Sequence, residues 1–144
     1  MERRTLLEKT KFAVLDTSVY IENFRTGRFT LRILQSTFIP RCSSVVLHEL
    51  IRGARRGIEE RFVRDLARRC QILTPSAQHW LKAGELLRAI RGHEHFDDKK
   101  LRTLTFDVLI ALSAHSIGAT VITCNQSDFQ VIRRHLPFHV EYWK

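Results

Sequence analysis

The stretch FDVLIALSAHSIGATVITCNQSDF, residues 106–129, decides how the chain folds. Its first half is apolar on nearly every side and reads as a buried helix from Phe106 to Ile117, with Thr105 placed to cap it and Gly118 to stop it. The run Ala119 to Thr123 is too short for a second helix and reads as a strand covered on both faces. FAVLDTSVYI, residues 12–21, repeats this pattern near the start: Phe12 to Leu15 form a short apolar run, Asp16 closes it, and a helix follows at once. Strands of this kind belong to parallel sheets with helices on the two faces.

The remaining segments extend the alternation. Gly27 interrupts the first helix, and Phe29, Leu31, Ile33 and Leu34 suggest a second short one before a strand at Phe38 to Cys42. Ser43 or Ser44 can cap a helix through Val46, Glu49 and Leu50, ended by Gly53. Ile58, Phe62, Val63 and Leu66 then recur at helical spacing, with Arg61, Arg64 and Arg68 turned away from that stripe. Gln71 to Leu73 reads as a strand, Pro75 opens a helix running towards Gly92, and HEHFDDKKLRT is the least regular stretch. A last helix and a strand near Phe138 to Tyr142 finish the chain. With no hairpin signals, the reading is an α/β fold with a mostly parallel central sheet.

The 144 residues suit one domain, expected over residues 12–144 behind a charged leader over residues 1–11. No apolar run approaches the roughly 20 residues of a membrane-spanning helix, and the leader lacks the apolar core of a secretory signal, so a cytoplasmic protein without membrane contact is expected. Three widely spaced cysteines, Cys42, Cys70 and Cys124, indicate neither a disulfide framework nor a paired-cysteine zinc site. They are expected to be reduced and buried.

Four acids stand in mainly apolar settings: Asp16, Glu49 in SSVVLHELIRG, Asp107, and Asp128 in VITCNQSDF. A carboxylate is costly to bury without a partner. In parallel sheets ligands bind beyond the carboxyl ends of the strands; Asp16 follows one strand and Asn125 and Asp128 follow another, so all three can reach one edge. Each acid has an ordinary explanation as well. Asp16 can be an N-cap, Glu49 can pair with Arg52, Asp107 can answer a helix dipole just inside an N-terminus, and Asp128 with Asn125 resembles a capping box. Ala111 and Ala114, on the face of Asp107, leave room for close approach. Together the four point to one open site for magnesium or manganese, hard ions that take oxygen ligands and retain waters.

The body carrying these acids is basic: 24 Lys and Arg against 15 Asp and Glu give a formal charge of +9 and a pI near 10.2. An acidic pocket in such a surface suits a polyanionic substrate. Residues 55–69 hold six arginines and three acids, and Arg61, Arg64 and Arg68 are candidate contacts to RNA or to an acidic inhibitor peptide, unless they form only a solvated face. No serine or cysteine lies in a nucleophile context and no glycine-rich phosphate loop is present. His93 and His95, near Asp97 and Asp98, lack a further regularly spaced ligand, and His48 faces about 100° from Glu49 on a helix.

VLDTSVYI, SSVVLHELIRGA and FDVLIALSAHSIGATVITCNQSDF resemble, in that order, the three motif regions of PIN-domain proteins, most closely the single-domain VapC-type toxins of bacterial toxin–antitoxin pairs. The resemblance implies a three-layer α/β/α fold and a magnesium- or manganese-dependent endoribonuclease, often dimeric and blocked by an antitoxin. By position, Asp16, Glu49 and Asp107 match the family's principal acids. At the fourth place this chain follows the pattern of an asparagine, Asn125, then an acid, Asp128. Thr17 or Ser18 and Thr123 match polar positions that orient these acids.

The resulting expectation is RNA hydrolysis by activated water, with Asp16, Glu49, Asp107 and Asp128 as metal and catalytic residues. A receiver-like phosphorylation module fits less well, since only Asp16 stands at the first strand. Two nearer rivals are a catalytically silent PIN scaffold that binds RNA or a protein, and a housekeeping RNA-processing nuclease. Ile21, Phe24, Phe29 and Leu31 offer an apolar surface for a homodimer.

Overall fold

A computed structural model describes residues 11–144. The expected leader therefore lies, but for Lys11, outside the described residues. Five strands form one all-parallel sheet: β1 (Phe12–Leu15), β2 (Ile39–Ser43), β3 (Gln71–Leu73), β4 (Thr120–Thr123) and β5 (His139–Tyr142), in the order β3-β2-β1-β4-β5. Among the described residues seven helices alternate with them: α1 (Thr17–Thr26), α2 (Thr30–Gln35), α3 (Ser44–Gly53), α4 (Gly57–Arg69), α5 (Ala77–Glu94), α6 (Asp98–Ser116) and α7 (Gln126–Arg133).

The two-residue period of the strands divides the core. Val14 and Val121 face a large cluster that includes Val46, Val63, Ile90, Leu104, Val108 and Ile132, drawn from α3 to α7. Ala13, Leu15 and Ile122 face a smaller cluster with Val19 of α1, Phe29 and Trp143. Two cores on opposite faces of one sheet make the three layers. Pro40 lies within β2, but β3 pairs only from Arg41 onward, so the missing N–H interrupts no ladder on that side.

Several helix boundaries differ from the sequence reading. Asp97, whose carboxylate accepts from the Lys100 N–H at 2.9 Å, caps α6. The helix thus begins inside the stretch expected to be least regular, and Thr105 donates to the Leu101 carbonyl instead of capping. Asp107 is consequently far from the helix N-terminus, and the dipole explanation for it falls away. Ser76, not Pro75, starts α5 through a reciprocal cap with His79. That helix passes through Gly92 to Glu94, ending at His95 in the left-handed region with φ 56°. Phe29 is 2% exposed and packs on Trp143, so it belongs to the core and not to an outer patch. The cysteines are free; Cys42 is buried, whereas Cys70 and Cys124 are only partly so.

Candidate metal centre

The strand order reverses between β1 and β4, and the crevice beyond their carboxyl ends is where such sheets bind ligands. The ladder between them runs up to the first acid: the Asp16 N–H donates to the Ile122 carbonyl at 2.8 Å. Asp16 occupies the N-cap position of α1, yet its side chain makes no cap hydrogen bond. Its Oδ2 instead accepts from Ser18 Oγ and Thr123 Oγ1, both at 2.8 Å. Each hydroxyl in turn accepts a backbone N–H, Ser18 from Cys124 at 3.0 Å and Thr123 from Asn125 at 2.9 Å. This network ties the end of β1 to the loop after β4.

Burial pushes the Asp16 carboxyl above its ordinary range, opposed by the Ser18 and Thr123 hydroxyls and the nearby Thr17 and Ser18 amides. Glu49 rises beside it on α3, which Ser43 caps by accepting from the Val45 N–H. Val46 and Leu50 anchor the inner face of α3, and Glu49 stands at its rim, where Thr17 Oγ1 donates to Oε1 at 3.0 Å. Its carboxyl is raised by burial, Thr17 opposing and the Asp16 charge adding.

Asp107 comes from α6, with the fully buried Val108, Leu109, Ile110 and Ala111 immediately after it. Among the described residues no donor hydrogen-bonds its carboxylate. Burial, and then the charges of Asp16, Glu49 and Asp128, push it up to about 8, with Lys100 opposing. Asp128 lies in the first turn of α7. Asn125 is the N-cap of that helix, accepting from the Asp128 N–H, while Asn125 Nδ2 donates to Asp128 Oδ2 at 3.1 Å. The other oxygen, Oδ1, accepts from Lys100 Nζ at 2.7 Å.

The structure sets Asp16, Glu49, Asp107 and Asp128 near enough to one another for the charges of the other three to raise Asp107, with Thr17 bonded to Glu49, Ser18 and Thr123 to Asp16, and Asn125 to Asp128. Among the described residues no group of three or more His, Cys, Asp or Glu side chains is arranged to hold a metal ion as it stands. The donor set nevertheless fits magnesium or manganese: it is all oxygen, Asp107 lacks a hydrogen-bonding partner among the described residues, and a hydrated ion can bridge part of the span through its own waters.

Lys100 is the site residue that the sequence reading missed. It stands seven residues before Asp107, which is the same face of a helix two turns earlier; placing the helix start at Thr105 hid that relation. Arg61, Arg64 and Arg68 are not brought to the acids. All three are exposed, and Arg64 and Arg68 pair with Glu60 and Asp65 of their own helix. Arg25 and Arg56 instead join Glu49 in lining a groove of about 440 Å³ with Ile21, Phe24 and Val63. His48 packs edge-on against Phe106, and His93 lies against His135, so neither enters the acidic pocket.

The PIN domain family model matches residues 13–134. No curated protein sequence matches the chain. Among solved structures, VapBC-1 from nontypeable Haemophilus influenzae is similar at 24% identity, covering 92% of this chain and 98% of that one, with a TM-score of 0.68. VapBC2 from Rickettsia felis, bound to a DNA fragment from its promoter, is 23% identical, with 92% and 99% coverage and a TM-score of 0.65. A toxin–antitoxin complex from Klebsiella pneumoniae is 22% identical, with 81% and 89% coverage and a TM-score of 0.58.

Proposed function

The chain belongs to the PIN domain family, and from that premise we propose that it is a metal-dependent endoribonuclease acting as the toxin of a toxin–antitoxin pair in the cytoplasm. The observation that carries this reading is the convergence of four carboxylates from four elements, close enough that the other three help push Asp107 up to about 8. Such a cluster favours a divalent cation, which neutralises the repulsion. Asp16, Glu49 and Asp107 would hold magnesium or manganese. When bound, the ion supplies a water that ionises near neutral pH and a counter-charge for the phosphoryl oxygens.

The chain's own part is orientation. Ser18 and Thr123 fix Asp16, Thr17 fixes Glu49, and the basic surface draws in the RNA backbone. Arg25 and Arg56 line the groove beside Glu49 and pair with Glu22 and Glu59; a partner segment with apolar and acidic side chains, the chemistry expected of an antitoxin tail, would compete for those pairs. Exposed Ile21 and Leu31 leave a surface for a homodimer. The purified chain should cleave single-stranded RNA only with magnesium or manganese, and Asp16→Asn or Asp107→Asn should lower the rate by at least about a hundredfold. Wild-type rates in either variant, or undiminished cleavage in a chelator, would remove the proposed site; RNA bound but uncut would favour the scaffold reading.

A further inference from the structure

We propose that Lys100 is a built-in cation of the acidic pocket that keeps Asp128 out of the metal-binding set, so that the site loads one divalent ion on Asp16, Glu49 and Asp107. This rests on the metal-site reading above and narrows it.

Each Asp128 oxygen already has a partner: Oδ1 accepts from Lys100 Nζ at 2.7 Å and Oδ2 from Asn125 Nδ2 at 3.1 Å. Asp107 has no such partner among the described residues. The two carboxylates are thus in opposite conditions, one answered by an ammonium and one open to a cation.

The placement of Lys100 distinguishes this pair from an ordinary surface salt bridge. Arg64 with Glu60 and Lys82 with Glu85 join residues one turn apart on one helix, and Arg134 with Glu94, which does join two elements, does so through an arginine that is 61% exposed. Lys100 and Asp128 join α6 to α7, and the Asp128 side chain is only 19% exposed. The Lys100 ammonium also stands 5.9 Å from the Phe96 ring centre, within reach of a cation–π contact. Asn125 is itself fixed, its side chain capping α7 and its N–H bonded to Thr123, so Asp128 is held from two sides by groups that are held in turn. A carboxylate held by an ammonium at this distance has its charge partly offset and its orientation fixed by a strong, charge-assisted bond.

Manganese binding to the purified, RNA-free chain, counted by electron paramagnetic resonance and by calorimetry, tests this directly. Wild type should bind about one ion per chain and Lys100→Gln about two, because the freed Asp128 can then serve a second ion. Lys100→Arg, which keeps the charge, should return the count to that of wild type, and adding Asp128→Asn to Lys100→Gln should abolish the second ion. Two ions in wild type, or an unchanged count in a folded Lys100→Gln protein, would overturn the role of Lys100 and leave the metal-site reading standing. No ion in either protein would overturn both.

Discussion

Asp16 and Asp107 face one pocket with opposite kinds of support. Asp16 ends a strand and holds two hydroxyls on a single oxygen, and those hydroxyls are tied to the chain beyond β4. Asp107 projects from the middle of a buried helix, with no hydrogen-bond donor on its carboxylate among the described residues and with burial first, then three neighbouring acids, raising it. One half of the site is fixed by hydrogen bonds that favour its charged form; the other is governed by burial and by its neighbours' charges. Its protonation, and not its position, is therefore what should respond to pH and to cations.

The largest test of that contrast is the stability of the metal-free protein against pH. Asp107 has a folded value of about 8, well above the ordinary 3.8. Between those values the native state keeps a proton that the unfolded chain has given up. Stability must therefore fall as pH rises from about 4 to about 8 and level off above, by at most about 1.4 kcal/mol per pH unit for this group. Asp16 and Glu49, also raised, contribute with the same sign. Asp107→Asn should reduce the slope and stabilise the metal-free protein at pH 8, while magnesium should stabilise wild type more at pH 8 than at pH 5. Thermal melts in chelator across that range measure it. Equal slopes in wild type and Asp107→Asn would mean that Asp107 is not the responsive half.

Much of this was legible in the chain itself. The parallel sheet followed from two short apolar strands each feeding a helix, and the acids stood out because they lay in apolar settings. What hid was long-range or competitive. Thr105 and Pro75 are good capping and helix-starting signals, but Asp97 and Ser76 made better caps nearby, and a boundary misplaced by two turns concealed Lys100. Phe29 looked like spare apolar surface because sequence spacing does not show that Trp143, at the far end of the chain, closes over it. The arginines of α4 were conspicuous for their number, whereas the groove beside Glu49 takes Arg56 from just before that helix and Arg25 from α1.

Thr123→Val sharpens the comparison from the other half and should have a moderate effect. Thr123 is fully buried, donates to Asp16 and accepts from the Asn125 N–H, so an isosteric side chain without the hydroxyl leaves both groups short of a partner. The expected loss is about 1.5–3 kcal/mol in urea unfolding, typical of a hydrogen bond to a charged group. The pH slope assigned to Asp107 should persist. A loss of only a few tenths of a kcal/mol would show that the hydroxyl network does not fix the strand-end half.

The smallest effect on the fold should come from the outer face of α4, where charge serves neither half of the pocket. Arg64 and Arg68 are 61% and 74% exposed and, among the described residues, pair only with Glu60 and Asp65 on their own helix. Replacing both with alanine should change stability by less than about 1 kcal/mol, since exposed pairs of this kind contribute little. If that face nevertheless guides RNA, the double variant should bind RNA more weakly, with a salt-dependence slope shallower by up to about two. Arg56→Ala, beside Glu49, is the control: it should weaken capture of an antitoxin-like peptide without altering the outer face. An unchanged RNA affinity and salt slope in the Arg64 and Arg68 variant would make those arginines a solvated surface, and would confine the recognition chemistry of α4 to its start, where Arg56 meets the groove.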